Sequence, residues 1–313
     1  MQTILGAGGA IGNYLAKELY KYTKDIRLVS RDPKPINPSD HVFPADLTHA
    51  DEVDKAIEGS EIVYVVIGFE YKAKVWREVW PKFMDAVISG CKKHNARLVF
   101  FDNVYAYDPD YLNGMTEETP LRPVSKKGQV RKELIERIFS EVESGQLTAL
   151  IARAPDFLSS HNSVIYETAI KNMKQGKPAM WFGRDDKIHN FIYTQDAAKA
   201  TAILGNTEEA YNQTWHLPTD QTPYTGREWV EMMAEITGSK PKINVIKSYM
   251  LGLMGVFIPT MKELKEMTYQ FERDYLFNSS RFEEKFKIKP TPAKEALETV
   301  IRKEKVETSQ VHT

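Results

Sequence analysis

One cysteine, Cys91, in 313 residues rules out an internal disulfide framework and any cysteine-rich metal site. It suits a reducing compartment, so the expected location is the cytoplasm. An excess of charge of either sign is missing too. The 42 Lys and Arg side chains nearly cancel 43 Asp and Glu, which leaves no global field to hold nucleic acid or an anionic membrane. Neither partner is expected, and an anionic ligand must be held by local geometry. No apolar run approaches the ~20 residues of a membrane span. The longest, Met250 to Ile258, is broken by Gly252 and Gly255 and reads as a buried or interface segment. The first residues read as a strand and carry no features of a secretory signal. None of the seven histidines stands one helical turn from another, so no metal is expected. A Gly-x-Ser-x-Gly elbow and a phosphate-loop lysine are absent as well, which removes the parts for serine hydrolysis and ATP chemistry.

What is present is an apolar fraction of 42%, enough to bury the core of one large domain or two closely joined ones. Strand-like and helical segments alternate through the first half. Residues 2–5 are β-prone, Ile11, Leu15 and Leu19 recur at helical spacing, and Ile26–Ser30 is a strand followed by a loop with Pro33, Pro35 and Pro38. Asp51–Ile57 then reads as helix, Ile62–Ile67 as strand, Trp76–Cys91 as helix, Arg97–Phe101 as strand, Gly128–Val142 as helix and Thr148–Ala152 as strand. Continuously apolar strands separated by helices predict an α/β fold with a doubly wound parallel sheet covered on both faces. After Pro155 the rhythm weakens. The expected division is a dinucleotide-binding domain over residues 1–155 and a smaller α/β substrate lobe over 156–313, partly interleaved with the first and lying over the sheet's carboxyl edge.

Gly6, Gly9 and Gly12 stand three residues apart between the first strand and the first helix. A turn this tight needs positive φ, close approach of a pyrophosphate excludes a Cβ, and close packing of helix on strand favours a third glycine. The helix start then offers free N–H groups to the phosphates. The pattern predicts a Rossmann unit gripping NAD(P), with Gly6, Gly9, Ala10, Ile11 and Gly12 forming the loop. The second strand ends in Ser30-Arg31, where a carboxylate would bond a ribose 2′-hydroxyl and a cation accepts a 2′-phosphate. NADP(H) is therefore expected over NAD(H). Asp46, followed by Leu47, is placed to accept from the adenine amino group or to act as the N-terminal cap of the next helix. Val66, Ile67 and Gly68 end the Ile62–Ile67 strand and should lie over the cofactor.

These residues resemble the extended short-chain dehydrogenases/reductases, the NAD-dependent epimerases and dehydratases. The likeness runs over nearly the whole chain: Gly6-x-x-Gly9-x-x-Gly12, Asp46-Leu47, Asn103-Val-Tyr105, Thr116-Glu-Glu-Thr-Pro120, Arg153-Ala-Pro155, Phe191-Ile-Tyr-Thr-Gln-Asp196, Arg281-Phe and Pro290-Thr-Pro292. The resemblance implies a Tyr and a Lys four residues apart on one helix as the proton-transfer pair. Here that stretch puts Lys127 where the Tyr belongs and Arg131 where the Lys belongs, and Asp102-Asn103 replaces the usual Ser. Tyr105 becomes the first candidate proton donor, with Lys127 next and Asn103 beside them; Arg131 and Pro155 are counted with the cofactor contacts. Three functions follow. The protein oxidises or reduces an unidentified small carbonyl or hydroxyl substrate, senses NADP(H) without turnover, or works as a sugar-nucleotide epimerase or dehydratase.

Two further groupings invite a role. Asp156, Ser159, His161 and Asn162 follow a strand end and suit either a polar ligand or loop capping, while Trp181, Phe182, His189 and Tyr193 suit either an apolar substrate wall or a core. An apolar stripe on the helices Trp76–Cys91 and Gly128–Val142 would form a homodimer interface if exposed, or pack on the sheet.

Overall fold

The computed structural model describes residues 1–255 and 259–310. The chain divides into two units, each assembled from separate stretches: residues 1–107, 121–154 and 197–217 in the first, and 108–120, 155–196 and 218–313 in the second.

Seven strands build the sheet of the first unit: β1 (Gln2–Leu5), β2 (Ile26–Ser30), β3 (His41–Pro44), β4 (Ile62–Val65), β5 (Arg97–Asp102), β6 (Ala149–Arg153) and β7 (Thr214–His216). Their spatial order is β7-β6-β5-β4-β1-β2-β3, and every pairing is parallel. Such a sheet must be covered on both faces, which is why β1, β4 and β6 are buried at every position. The order reverses at β1, which lies between β2 and β4, and sheets of this kind bind ligands at the carboxyl ends of the strands at such a point. β3 and β7 were not expected. β3 is an edge strand whose His-Val-Phe-Pro sequence is mostly exposed, and its proline is tolerated because one side of an edge strand needs no partner. β7 has three residues, too few for a period to register.

Helices α1 (Gly12–Leu19), α2 (Ala50–Ile57), α3 (Ala73–His94) and α4 (Lys126–Glu143) complete this unit's main frame. On α3, Trp76, Trp80, Phe83, Met84, Val87, Ile88 and Cys91 all turn inward and join the core with Val130, Leu134, Ile135 and Ile138 of α4. The apolar stripe of these two helices thus packs inside the unit. Their outer faces are charged, with Arg137 paired to Asp85 and Lys92 to Glu141.

Among the described residues the second unit holds three parallel strand pairs: Asp156–Leu158 with Phe191–Tyr193, Ala179–Phe182 with Ile243–Ile246, and Asn113–Met115 with Leu276–Phe277. Its core gathers Leu158, Tyr166, Trp181, Phe191, Trp229 and Leu297. The helix Gly226–Thr237 starts from a reciprocal capping box between Thr225 and Glu228 and stops at Gly238 in the left-handed region. In the apolar run Met250 to Ile258, Leu251 is buried and Leu253 exposed, and residues 256–258 lie outside the described residues. No helix among the described residues is long and apolar enough to cross a membrane.

Cys91 reports on the integrity of α3. Burial pushes its thiol up to about 12, so the native protein carries almost no thiolate at pH 8. A thiol raised by folding stabilises the native state below the unfolded thiol's pKa, and that contribution is lost as pH climbs toward the folded value. Labelling with a thiol reagent at pH 8 is expected to be negligible in the native protein and to rise along the urea unfolding curve; rapid native labelling would contradict this placement.

Candidate functional site

The loop between β1 and α1 crosses the point where the strand order reverses. Gly6 and Gly8 have φ of +105° and +91°, a region that disfavours any side chain. A Cβ on Gly6 would fall 2.5 Å from Cα of Ile67, and one on Gly12 would fall 2.8 Å from the carbonyl oxygen of Gly6. Backbone therefore lies directly on backbone, from the end of β1 to the chain leaving β4. Gly9 is looser, its added Cβ meeting only the Gly6 oxygen at 3.4 Å. Ile11 anchors the loop in the core, half-buried Ala10 precedes it, and α1 begins with no side-chain cap. The first N–H groups of a helix have no partner within it, so the positive end of α1 is left to solvent or to an anion. Beside Gly8 and Gly68 an added Cβ would meet nothing within 4 Å, and Val66 donates its N–H to Leu5 across the gap. Bare main chain, an uncapped helix start and open space fit the pyrophosphate of a dinucleotide.

At the next strand end, half-buried Ser30 accepts the Ala45 N–H at 2.8 Å and Arg31 is exposed. Asp32 is engaged by Lys34 at 2.8 Å. Asp46 accepts the backbone and hydroxyl hydrogens of Thr48 at 3.0 and 2.8 Å, so its local role is to close a turn ahead of α2. Those two bonds, and more weakly the charges of His49 and Arg31, hold its carboxyl below the usual range. Leu47 is buried in the core behind it.

A row of polar side chains lies along the carboxyl ends of β5, β6 and β7, where Asp102, Arg153 and His216 are register partners. Asp102 Oδ2 accepts from Arg153 Nη2 at 3.1 Å and Nε at 3.3 Å, and its Oδ1 faces Arg131 Nη1 at 3.6 Å. Arg153 stacks on the Tyr107 ring, whose hydroxyl is 2.6 Å from Nε2 of His216. Burial lowers the Arg131 pKa, an effect that Asp102 only partly offsets. For Arg153 burial acts in the same direction, but Tyr107 and Asp102 together outweigh it and the net shift is upward.

Tyr105 follows Asp102 by three residues, and its carbonyl lies against α4 at Gly128. Asn103 Oδ1 accepts the Tyr105 N–H at 2.9 Å, a turn that positions the tyrosine. The ring stacks on Trp76, and its hydroxyl accepts from that of Tyr71 at 3.3 Å. Lys127 has no exposed surface, and its ammonium lies 4.5 Å from the centre of the Tyr71 ring. Arg131, expected at a cofactor ribose or pyrophosphate, is instead 4.1 Å from the Trp80 ring centre and 4.8 Å from that of Trp76, among aromatic side chains of the core. One helical turn separates Lys127 from Arg131, so the face that buries one buries the other. Pro155 belongs to the second unit.

In the second unit, Trp181, Phe182 and His189 are core residues, so they form no exposed wall. His189 is stacked between Phe271 and Tyr275 and is 3.0 Å from Asp156. Ser159 caps the N–H of His161, and Asn162 takes a left-handed turn. Among the described residues no group of three or more His, Cys, Asp or Glu is arranged to hold a metal ion. Two contributors escaped sequence reasoning: Tyr71, which belongs to no motif, and Gly128, where a Cβ would collide with the carbonyl oxygen of Tyr105.

Replacing Asp102 by Asn leaves two buried guanidinium groups facing a neutral amide. The expected loss is about 3–5 kcal/mol in urea unfolding, against under about 1 kcal/mol for Arg137→Met in the exposed pair; equal effects would contradict the buried pairing.

No curated protein sequence matches the chain. Solved structures do. The UDP-glucuronic acid 4-epimerase of Bacillus cereus, solved with UDP-glucuronic acid and NAD, superposes with a TM-score of 0.78 at 14% identity, over 96% of this chain and 98% of that one. The UDP-glucose 4-epimerase of Thermus thermophilus with NAD gives 0.76 at 14% identity, over the same shares. The dTDP-glucose 4,6-dehydratase DesIV of Streptomyces venezuelae gives 0.75 at 12% identity, over 96% of each. At these identities the likeness is one of fold. The family model for NAD-dependent epimerases and dehydratases matches residues 3–215, more than half of the sequence. The chain therefore belongs to the NAD-dependent epimerase/dehydratase family.

Proposed function

We propose that this protein holds a nicotinamide dinucleotide on the β1–α1 loop and works as an epimerase or dehydratase on a hydroxyl-bearing substrate of the sugar-nucleotide class. The observation that carries the reading is the loop itself, where Gly6 lies on Ile67 with no room for a side chain and the start of α1 is uncapped. Membership of the family supports the chemistry, and the substrates printed for DesIV and the two 4-epimerases support the class. The bound nicotinamide would supply reversible hydride acceptance. The chain's own contributions are separate. Backbone N–H groups of Ala10, Ile11 and Gly12 would meet the pyrophosphate, Gly68 leaves space beside it, and Tyr105 moves the substrate's proton. We assign NADP(H) over NAD(H), because an exposed arginine, Arg31, stands at the end of β2 and Asp32 follows it rather than replacing it. The NAD in the similar structures argues the other way. Burial of both Lys127 and Arg131 favours one second reading, in which the protein binds the nucleotide without turnover.

Two measurements test the proposal. Titration with NADPH and NADH, followed by nicotinamide fluorescence, is expected to show tighter NADPH binding, and Arg31→Ala should erase the difference; tighter NADH overturns the NADP assignment. Gly9→Ala brings its Cβ no nearer the protein than 3.4 Å, at the Gly6 oxygen, so it should keep the fold by circular dichroism and weaken both nucleotides at least about tenfold, the equivalent of 1.4 kcal/mol. Unchanged binding would remove the loop from the site. A screen of nucleotide sugars for epimerised or dehydrated product then separates turnover from sensing.

A further inference from the structure

Lys127 occupies the place of the expected tyrosine, yet it has no exposed surface with which to touch a substrate. Its ammonium lies over Tyr71, Tyr71 donates to the Tyr105 oxygen, and both tyrosines are only half-buried. Three elements converge here. Tyr71 comes from the segment leading into α3, Tyr105 from the turn after β5, and Lys127 from the first turn of α4. That turn is seated by Gly128, which alone permits the helix to lie against the Tyr105 carbonyl, and by Ser125, which caps the Gly128 N–H at 2.9 Å. Trp76 stacks on Tyr105 and meets Tyr71 edge-on, fixing both rings.

We infer that the proton-transfer group of this protein is a two-tyrosine pair, Tyr105 with Tyr71, and that Lys127 is a positioning residue acting through the pair as a buried cation. The inference rests on the proposed reading of the site. The substrate's hydroxyl O–H bond breaks as an O–H bond forms on the Tyr105 phenolate, and the electron pair stays on the substrate oxygen. The Tyr71 hydroxyl keeps donating to the Tyr105 oxygen, which stabilises that oxygen when it is negative. A cation within a few ångströms of the pair favours the charged form for the same reason. The charged and titratable groups around the pair include Lys127 and Arg131 on α4, Asp102 on β5 with Arg153 beyond it on β6, Tyr107 and His216 farther along the row, and the exposed Glu70–Lys72 pair ahead of α3. Arg131 faces Asp102 at 3.6 Å, and Lys127 lies over the Tyr71 ring with its ammonium 4.5 Å from the ring centre. The arrangement supplies the tyrosine-and-lysine chemistry of a single helix face from three separate elements.

The test needs no substrate. Tyrosinate absorbance is followed against pH in the whole protein and in Tyr105→Phe, Tyr71→Phe, Lys127→Met and Lys127→Arg, with circular dichroism at each pH. One tyrosine is expected to titrate about one pH unit below the free value, to vanish from the curve in Tyr105→Phe, to move up by about one pH unit in Lys127→Met, and to return in Lys127→Arg. Tyr71→Phe should move it upward even if Lys127→Met fails to fold. The inference is overturned if the folded Lys127→Met or Tyr71→Phe curve superimposes on that of the parent protein. NADH and NADPH titrations on the same samples keep the two ideas apart: loss of nucleotide binding in the parent protein counts against the proposed function, whereas intact binding with an unmoved tyrosine counts against the pair alone.

Discussion

Gly6 against Ile67 is the contact on which the first unit depends. At that point the chain leaving β1 and the chain leaving β4 pass with main chain touching main chain, and any side chain would force them apart. Because β1 is the strand at which the order reverses, the same contact lies where sheets of this kind bind ligands. Gly12, packed on the Gly6 oxygen, fixes the direction of α1 and so the direction of its positive end. Packing and anion binding are thus two consequences of one absence of side chain.

The second organising feature is the Asp102 carboxylate with its two guanidinium groups. A buried carboxylate and two buried arginines are costly to desolvate and are tolerated because each charge has a close opposite. Their position gives them a further effect. Asp102 and Tyr107 bracket Tyr105, Asp102 held by Arg153 and Tyr107 by His216, so the short segment carrying the tyrosine is anchored at both ends to the sheet. The precision of a half-buried hydroxyl rests here on neighbours that never meet solvent.

Family membership and the residues of α4 pull in different directions, and the structure gives the reason. Lys127 and Arg131 keep the one-turn spacing on which the family's pair relies, but their shared face is turned into an aromatic interior of Tyr71, Trp76, Trp80 and Phe100. Long cationic side chains reach sideways under aromatic faces, where a tyrosine at the same position would present its hydroxyl at the end of a rigid ring. The chemistry that family membership leads one to seek on this helix therefore has to come from its neighbours.

The sequence by itself determined the parallel sheet, the glycine loop and the departure on α4, because each is written in local signals: continuous apolar strands, glycines at fixed spacing, and residue types one helical turn apart. It did not reveal β3 or β7, whose few residues carry no buried period, and it predicted a partial interleaving of two lobes without the points at which the chain passes between them. The burial of Lys127 and Arg131 and the meeting of Tyr71 with Tyr105 were decided only by tertiary structure. Tyr71 and Tyr105 stand 34 residues apart and share no motif. What brings them together is the packing of α3 and α4 on one face of the sheet, a property of the assembled core that no window of sequence contains.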